Sequence, residues 1–173
     1  MEEIRFLQLM LFGKHMKHRI YNIPNSEQQI LITTDVVEFF GTYRQQGAEA
    51  ESGGLLFAEF DFPIIRIVEV SPPQPTDKRW RTLFIPNRVF QRQLIKQRFK
   101  KGHHFVGEWH THPQGKPSPS TLDLESMADS FLKSKHELNY FIMIIIGNDI
   151  HNLELWFSVH NGVDYYQLKE NKD

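Results

Sequence analysis

The chain has 173 residues, 40% of them hydrophobic and 24% charged, with a formal charge of −1. That length suits one domain able to bury a core without covalent staples, and the balanced charge gives no electrostatic case for a nucleic-acid partner. The absence of cysteine excludes a disulfide scaffold, a thiolate zinc site and a cysteine protease.

In chain order, residues 1–19 carry an apolar stretch preceded by acidic residues and followed by no A-x-A-like cleavage pattern. They read as a strand or short helix within an N-terminal arm, 1–28, packed on the domain, and not as a signal peptide. A turn cluster, Asn22–Ser26, follows. Gln29–Thr33 fits a short strand, and Thr34 or Asp35 then caps a helix carrying Val36, Val37, Phe39 and Phe40 and ended by Gly47. Leu55–Phe62 and Ile64–Val70 have the composition of paired strands about Pro63. Ser71–Asp77 holds three prolines and is a stiff loop. Arg81–Ile85 reads as another strand. From Asn87 to Gly102 the residues Val89, Phe90, Leu94, Ile95 and Phe99 recur at helical spacing, with the basic run Lys96–Lys101 on the solvated side. Phe105–His112 returns to strand character, and Ser118 or Ser120 caps a helix to about His136. Tyr140–Ile146 reads as a central strand buried on both faces, with Leu153–Val159 as its neighbour. The pattern predicts one α/β domain, a mixed β-sheet covered by helices, spanning 1–173. No apolar run is long enough to span a bilayer as a helix, so no membrane partner is expected and a cytoplasmic location is the default.

The densest chemistry lies in Gly107–Asp123, GEWHTHPQGKPSPSTLD: His-x-His, seven residues, Ser, two residues, Asp. Alternate side chains of a strand share a face, so His110 and His112 can point at one ion while Thr111 faces away. Pro113 ends the strand, and the turn up to Pro119 brings a helix start back towards it. Ser120 and Asp123 are then neighbours on the first helical turn. Three nitrogen or oxygen ligands with an open fourth position are the pattern of a catalytic zinc site, which makes His110, His112 and Asp123 candidate ligands. Either half alone is weak, since a Ser-x-x-Asp pair is often a helix cap and nothing more.

A water attacking at such a site needs a proton acceptor outside the ligand set. Glu51, Glu49 and Glu108 are the candidates. Glu51 opens ESGGLL, whose glycines allow close approach of backbone or substrate, though a plain loop charge is the equal alternative. Glu49 reads as a solvated loop charge. Glu108 shares the strand face of the two histidines and would either orient a ligand or form a structural ion pair. His15, His18, His103, His104, His136, His151 and His160 show no convergent spacing and read as surface or packing residues. There is no G-x-S-x-G elbow, phosphate-binding glycine loop or H-E-x-x-H helix.

Glu51 followed by Ser-Gly-Gly, then His110-x-His112, seven residues, Ser120, two residues and Asp123, resembles the JAB/MPN (JAMM) metalloprotease family with no departure from its pattern. The resemblance runs from about Gln29 to Val159. It implies a JAB/MPN, cytidine-deaminase-like fold with Zn2+ bound by His110, His112 and Asp123. It also implies Glu51 as the base that passes a proton from water to the leaving amine, and Ser120 as a donor to the oxyanion. Family members cut isopeptide or peptide bonds after the C-terminal residue of ubiquitin-like modifiers. The phrases GEWHTHP and PPQPTD are most similar to a bacterial subgroup of isopeptidases in antiphage operons based on cyclic-oligonucleotide signalling (CBASS). There the implied substrate is a nucleotidyltransferase, joined through an extended C-terminal tail to other proteins. Two alternatives share the fold: a peptidase processing a ubiquitin-like or sulfur-carrier protein, and a non-catalytic scaffold, against which the intact ligand set weighs. Walls for the tail are expected in Ser71–Arg81 and Gly115–Pro119, with binding by strand addition to an exposed edge.

Overall fold

In the computed structural model, which describes residues 17–171, the chain runs through β1 (Arg19–Asn22), β2 (Gln29–Ile32), α1 (Thr34–Thr42), β3 (Gly53–Asp61) and β4 (Ile64–Val70). Then follow β5 (Lys78–Trp80), β6 (Leu83–Ile85), α2 (Arg88–Phe99), β7 (His104–Thr111), α3 (Thr121–Lys133), β8 (Phe141–Ile146), β9 (Leu155–His160) and β10 (Tyr165–Gln167). Eight strands form one sheet in the order β1-β2-β4-β3-β7-β8-β9-β10, and β5 and β6 form a separate hairpin. The sheet is mixed: β2 with β4 and β7 with β8 are parallel, the other pairs antiparallel.

Strand alternation explains how an unbroken apolar run such as FIMIII is used. Ile142, Ile144 and Ile146 of β8 join the core under α1 with Val36, Val37 and Phe40. Phe141, Met143 and Ile145 turn to the other face, against Met127 of α3. Leu55 and Phe57 of β3 meet Leu94 of α2 on that second face. Both faces are therefore covered, as the sequence of β8 predicts.

A bulge changes the parity of β7. Its pairing with β3 slips between Leu56 and Phe57, opposite Gly107 and Phe105, and Val106 and Trp109 consequently both join the core under α1 although three positions apart. Glu108 and His110 are thereby directed to the opposite face from Val106, a common use of bulges beside functional sites. Only glycine fits at the bulge: a Cβ on Gly107 would lie 1.9 Å from the Ile142 carbonyl oxygen.

Several boundaries differ from expectation. The cap of α1 is Thr33, one residue ahead of Thr34, and the helix stops at Thr42, well short of Gly47. Gly41 is a weak helix former, and the Thr42 hydroxyl donates to the Phe39 carbonyl, diverting an acceptor of the last turn. Arg81 and Thr82 form the turn of the β5–β6 hairpin and not the start of a strand. The expected element in residues 1–19 lies mostly outside the described residues; β1 falls at its end and the turn follows at 24–27. Among the described residues no helix is long and apolar enough to cross a membrane.

Candidate active site

The C-terminal end of β7 sits between β3 and β8, where His110 pairs with Gly53 on one side and Ile145 on the other. His112 is one residue past the strand, yet its N–H still donates to the Ile146 carbonyl, 3.0 Å. The two imidazoles therefore emerge on one side of a strand end that is clamped by neighbours. Thr111 faces inward with no exposed surface and accepts the Ser52 N–H on its hydroxyl oxygen at 2.9 Å.

Ser120 is the N-cap of α3, and the first turn closes as a reciprocal capping box. The Asp123 N–H donates to Ser120 Oγ at 3.2 Å. In return Asp123 Oδ2 accepts the Ser120 N–H at 2.7 Å and its hydroxyl at 2.6 Å. This fixes the carboxylate with Oδ1 3.3 Å from His110 Nε2 and Oδ2 3.4 Å from His112 Nε2. The two Nε2 atoms lie 3.1 Å apart.

These separations test whether a metal fits. Ligands bonded at about 2.0–2.1 Å in a tetrahedron stand about 3.3 Å from one another; the Nε2–Nε2 separation and the nearest Nε2–O separations, which fall on the two different oxygens of Asp123, are close to that. The donor set agrees: two imidazole nitrogens aimed at each other cannot both donate, whereas a cation shared with the carboxylate satisfies all three groups. His110, His112 and Asp123 are the group of three that could hold an ion among the described residues.

The electrostatics are set by burial and by these neighbours. Desolvation opposes charge on Asp123, but hydrogen bonding to the two histidines and Ser120 outweighs it and holds the carboxyl well below the usual carboxylate range. Burial would lower the pKa of His112; Asp123 and Glu51 prevail and raise it.

Glu51 is only 4% exposed and its Oε1 lies 3.9 Å from His112 Nε2. Burial pushes its pKa up to about 7, against the opposing pull of His112, so both protonation states are accessible near neutrality. The Ser-Gly-Gly that follows has a steric reason. A Cβ on Gly53 would meet the Phe84 ring at 2.6 Å, and one on Gly54 would meet the Ser71 carbonyl oxygen at 2.1 Å.

Glu51, Ser120 and the three candidate ligands line one cleft with Phe84, Ile85 and Leu122. Glu108 also lines it, but its carboxylate is paired with Arg88 of α2, so of its two readings the structural ion pair is the one observed. Glu49 lies exposed in the loop and accepts the Gln46 N–H. The other described histidines lie elsewhere: His18 and His151 are exposed, His103 pairs with Glu69, His104 packs on Phe60 and Phe99, His136 packs on Phe131, and His160 is buried against Ser158, while His15 lies outside the described residues. Neither expected wall, Ser71–Arg81 or Gly115–Pro119, lines the cleft. Residues 82–86 and Gln114 line it instead, while β5 is exposed along its length. Sequence reading missed the polar groups behind the site, Gln45 and Arg79, whose only signal is their proximity in the chain to Glu51 and β6.

Residues 33–159 match the family described as prokaryotic homologs of the JAB domain. A CD-NTase/cGAS isopeptidase of Enterobacter hormaechei subsp. hoffmannii is 32% identical over 147 residues, covering 82% of each chain. One from Escherichia coli (strain TW11681) is 28% identical over 152 residues, covering 86% of this chain and 92% of its own. The fold is similar to the solution structure of protein DSY2949 from Desulfitobacterium hafniense, with a TM-score of 0.60 at 19% identity, covering 79% of this chain and 87% of that one. With the family match spanning most of the sequence, the chain belongs to the prokaryotic homologs of the JAB domain.

Proposed function

We propose that this protein is a zinc-dependent isopeptidase that hydrolyses the bond after the C-terminal residue of a conjugated protein. The conjugated protein we assign is a nucleotidyltransferase of CBASS antiphage defence, acting in the cytoplasm. The names of the relatives support the substrate class. The observation that carries the chemistry is the buried Glu51 carboxylate facing a three-ligand cluster in an open cleft.

His110, His112 and Asp123 would hold the metal, and their two-nitrogen, one-oxygen set suits zinc. When bound, zinc acidifies water and polarises the scissile carbonyl. Glu51 accepts the proton of the attacking water on its carboxylate and delivers it to the nitrogen of the leaving amine, a transfer suited to a group titrating near neutrality. Ser120 Oγ turns its proton from Asp123 to the oxyanion developing on the carbonyl. With water as nucleophile, no covalent enzyme intermediate forms. The substrate tail lies extended along β6, which pairs with β5 on one side and borders the cleft with Phe84 and Ile85.

The test incubates the purified protein with the nucleotidyltransferase tail joined to a lysine-bearing target, and in parallel with a sulfur-carrier fusion. Cleavage of the first, lost with a chelator and restored by zinc, is expected. Glu51→Ala is expected to fold and to bind zinc without cleaving. Wild-type turnover in Glu51→Ala, or indifference to the chelator, would sink the mechanism; preference for the sulfur-carrier fusion would sink the substrate assignment.

A further inference from the structure

Glu51 precedes β3 and so lacks the ladder that fixes His110 in the middle of the sheet. Its side chain is nonetheless buried in a place that penalises its charge. The sheet reaches only as far as Ser52, whose carbonyl accepts the Thr111 N–H at 2.8 Å, so the Glu51 N–H and carbonyl are held by another element. We infer that the β5–β6 hairpin is the frame that keeps Glu51 in register with the two histidines, and that Arg79 is its positioning residue. The inference rests on Glu51 being the proton acceptor proposed above.

The contacts are specific to the backbone of residues 50–52. Arg79 Nε donates to the Glu51 carbonyl at 2.6 Å, and Nη2 donates to the Ala50 carbonyl at 3.3 Å and to Ser52 Oγ at 2.7 Å. From the same strand, the Trp80 carbonyl accepts the Glu51 N–H at 2.8 Å. Both polar groups of the Glu51 peptide are thus held by consecutive residues of β5. Only a guanidinium has a rigid fork of donors able to reach three acceptors on adjacent residues; a lysine ammonium has neither the span nor the planarity.

Behind this frame sits Gln45, 2% exposed. Its Nε2 donates to the Glu49 carbonyl at 2.6 Å and to the Arg81 carbonyl at 2.8 Å, joining the Glu51 loop to the tip of the hairpin. Its Oε1 accepts the Thr111 hydroxyl at 3.4 Å, and Thr111 Oγ1 in turn accepts the Ser52 N–H. Thr111 is the residue between His110 and His112. A short chain of hydrogen bonds therefore connects the hairpin, the Glu51 loop and the backbone that carries both imidazoles. Because proton transfer falls off steeply with misplacement of about 1 Å, this frame sets a rate and not an affinity.

Arg79 is exposed, so its truncation leaves no cavity and the variant is expected to fold. The experiment compares wild type, Arg79→Ala, Arg79→Lys and the control Lys78→Ala, which removes one charge from the same strand. With the conjugate substrate above, Arg79→Ala is expected to lower kcat about tenfold, the scale of losing charge-assisted hydrogen bonds, with KM and zinc content unchanged. Free guanidinium is expected to restore kcat in Arg79→Ala; Arg79→Lys stays impaired and Lys78→Ala matches wild type. Hydrogen exchange of the Glu51 and Ser52 amides is expected to quicken in Arg79→Ala. Unchanged kcat, loss of zinc, failure of guanidinium rescue or unchanged exchange would each overturn the assignment. Exchange and zinc content need no turnover. A wild type that cleaves no conjugate therefore removes the isopeptidase reading, while exchange at residues 51 and 52 still decides the frame.

Discussion

His160 offers a test of the packing that separates the two site histidines from the rest. It ends β9 with its ring 3% exposed and stacked on Tyr165. Trp156 Nε1–H donates to Ser158 Oγ at 3.0 Å, so the Ser158 proton is free to go to His160 Nε2, 2.9 Å away. Accepting that proton requires the neutral ring. Burial lowers the His160 pKa from 6.5 to about 4. Since the folded value lies below the unfolded one, the unfolded chain takes up a proton first as pH falls. Stability is full above about pH 6.5, declines towards pH 4 and changes no further below it. At about pH 5 the unfolded chain is favoured by about 1.5 log units, or roughly 2 kcal/mol, rising to roughly 3 kcal/mol below pH 4. Urea unfolding of metal-stripped wild type and His160→Gln at about pH 7.5 and pH 5 measures this. Wild type is expected to lose roughly 2 kcal/mol more than the variant between the two. Equal losses, or an imidazole resonance titrating near its ordinary value, would refute the reasoning.

Ser120→Ala removes both the cap of α3 and the proposed oxyanion donor. It is expected to cost about 1 kcal/mol in urea unfolding and about 10²–10³ in kcat, with zinc retained because the residue 120 N–H still holds Asp123 Oδ2. Gly53→Ala places a methyl 2.6 Å from the Phe84 ring and 2.8 Å from the Trp109 carbonyl oxygen. It is expected to destabilise by about 1–3 kcal/mol, read by thermal unfolding, and wild-type stability would contradict the close approach of β6 to β3. His110→Ala is expected to bind less than stoichiometric zinc by elemental analysis and to show no cleavage. Full zinc occupancy would remove His110 from the ligand set.

What the sequence discloses depends on how locally each feature is determined. The capping box at Ser120 and the helix after it follow from four adjacent residues, and the structure places the cap there. The buried run of β8 is unambiguous because both of its faces are apolar. β5 and β10 escape notice because all of their residues are exposed and their strands show no apolar alternation. The bulge at Gly107 is equally silent in the sequence: parity alone would group Val106 with Glu108 and His110, and only contact with Ile142 shows why it must not. Glu51 is the least locally determined residue of the site. Its proximity to His112 depends on β3 pairing with β7 across 59 residues of chain, as the Ser52–Thr111 contact records, and no period or spacing near Glu51 announces it.

The Ser-x-x-Asp pair reads as either a helix cap or half of a reactive site, and the structure makes these one device. The box that satisfies the free N–H groups of α3 also immobilises the Asp123 carboxylate and aims it at two imidazoles. A helix N-terminus favours the ionised acid, the state a metal ligand needs, so capping and ligation pull in the same direction. His110 is likewise placed by an ordinary strand pairing with Gly53 and Ile145. Apart from the bulge at Gly107 that turns His110 to this face, the candidate ligands come from ordinary rules of helix and strand. Glu51 is different: it is buried against its own charge and held by a hairpin from another part of the chain. Loss of the β5–β6 contacts is therefore expected to lower turnover while metal content is kept, so that placement of Glu51 is the step at which binding and turnover separate.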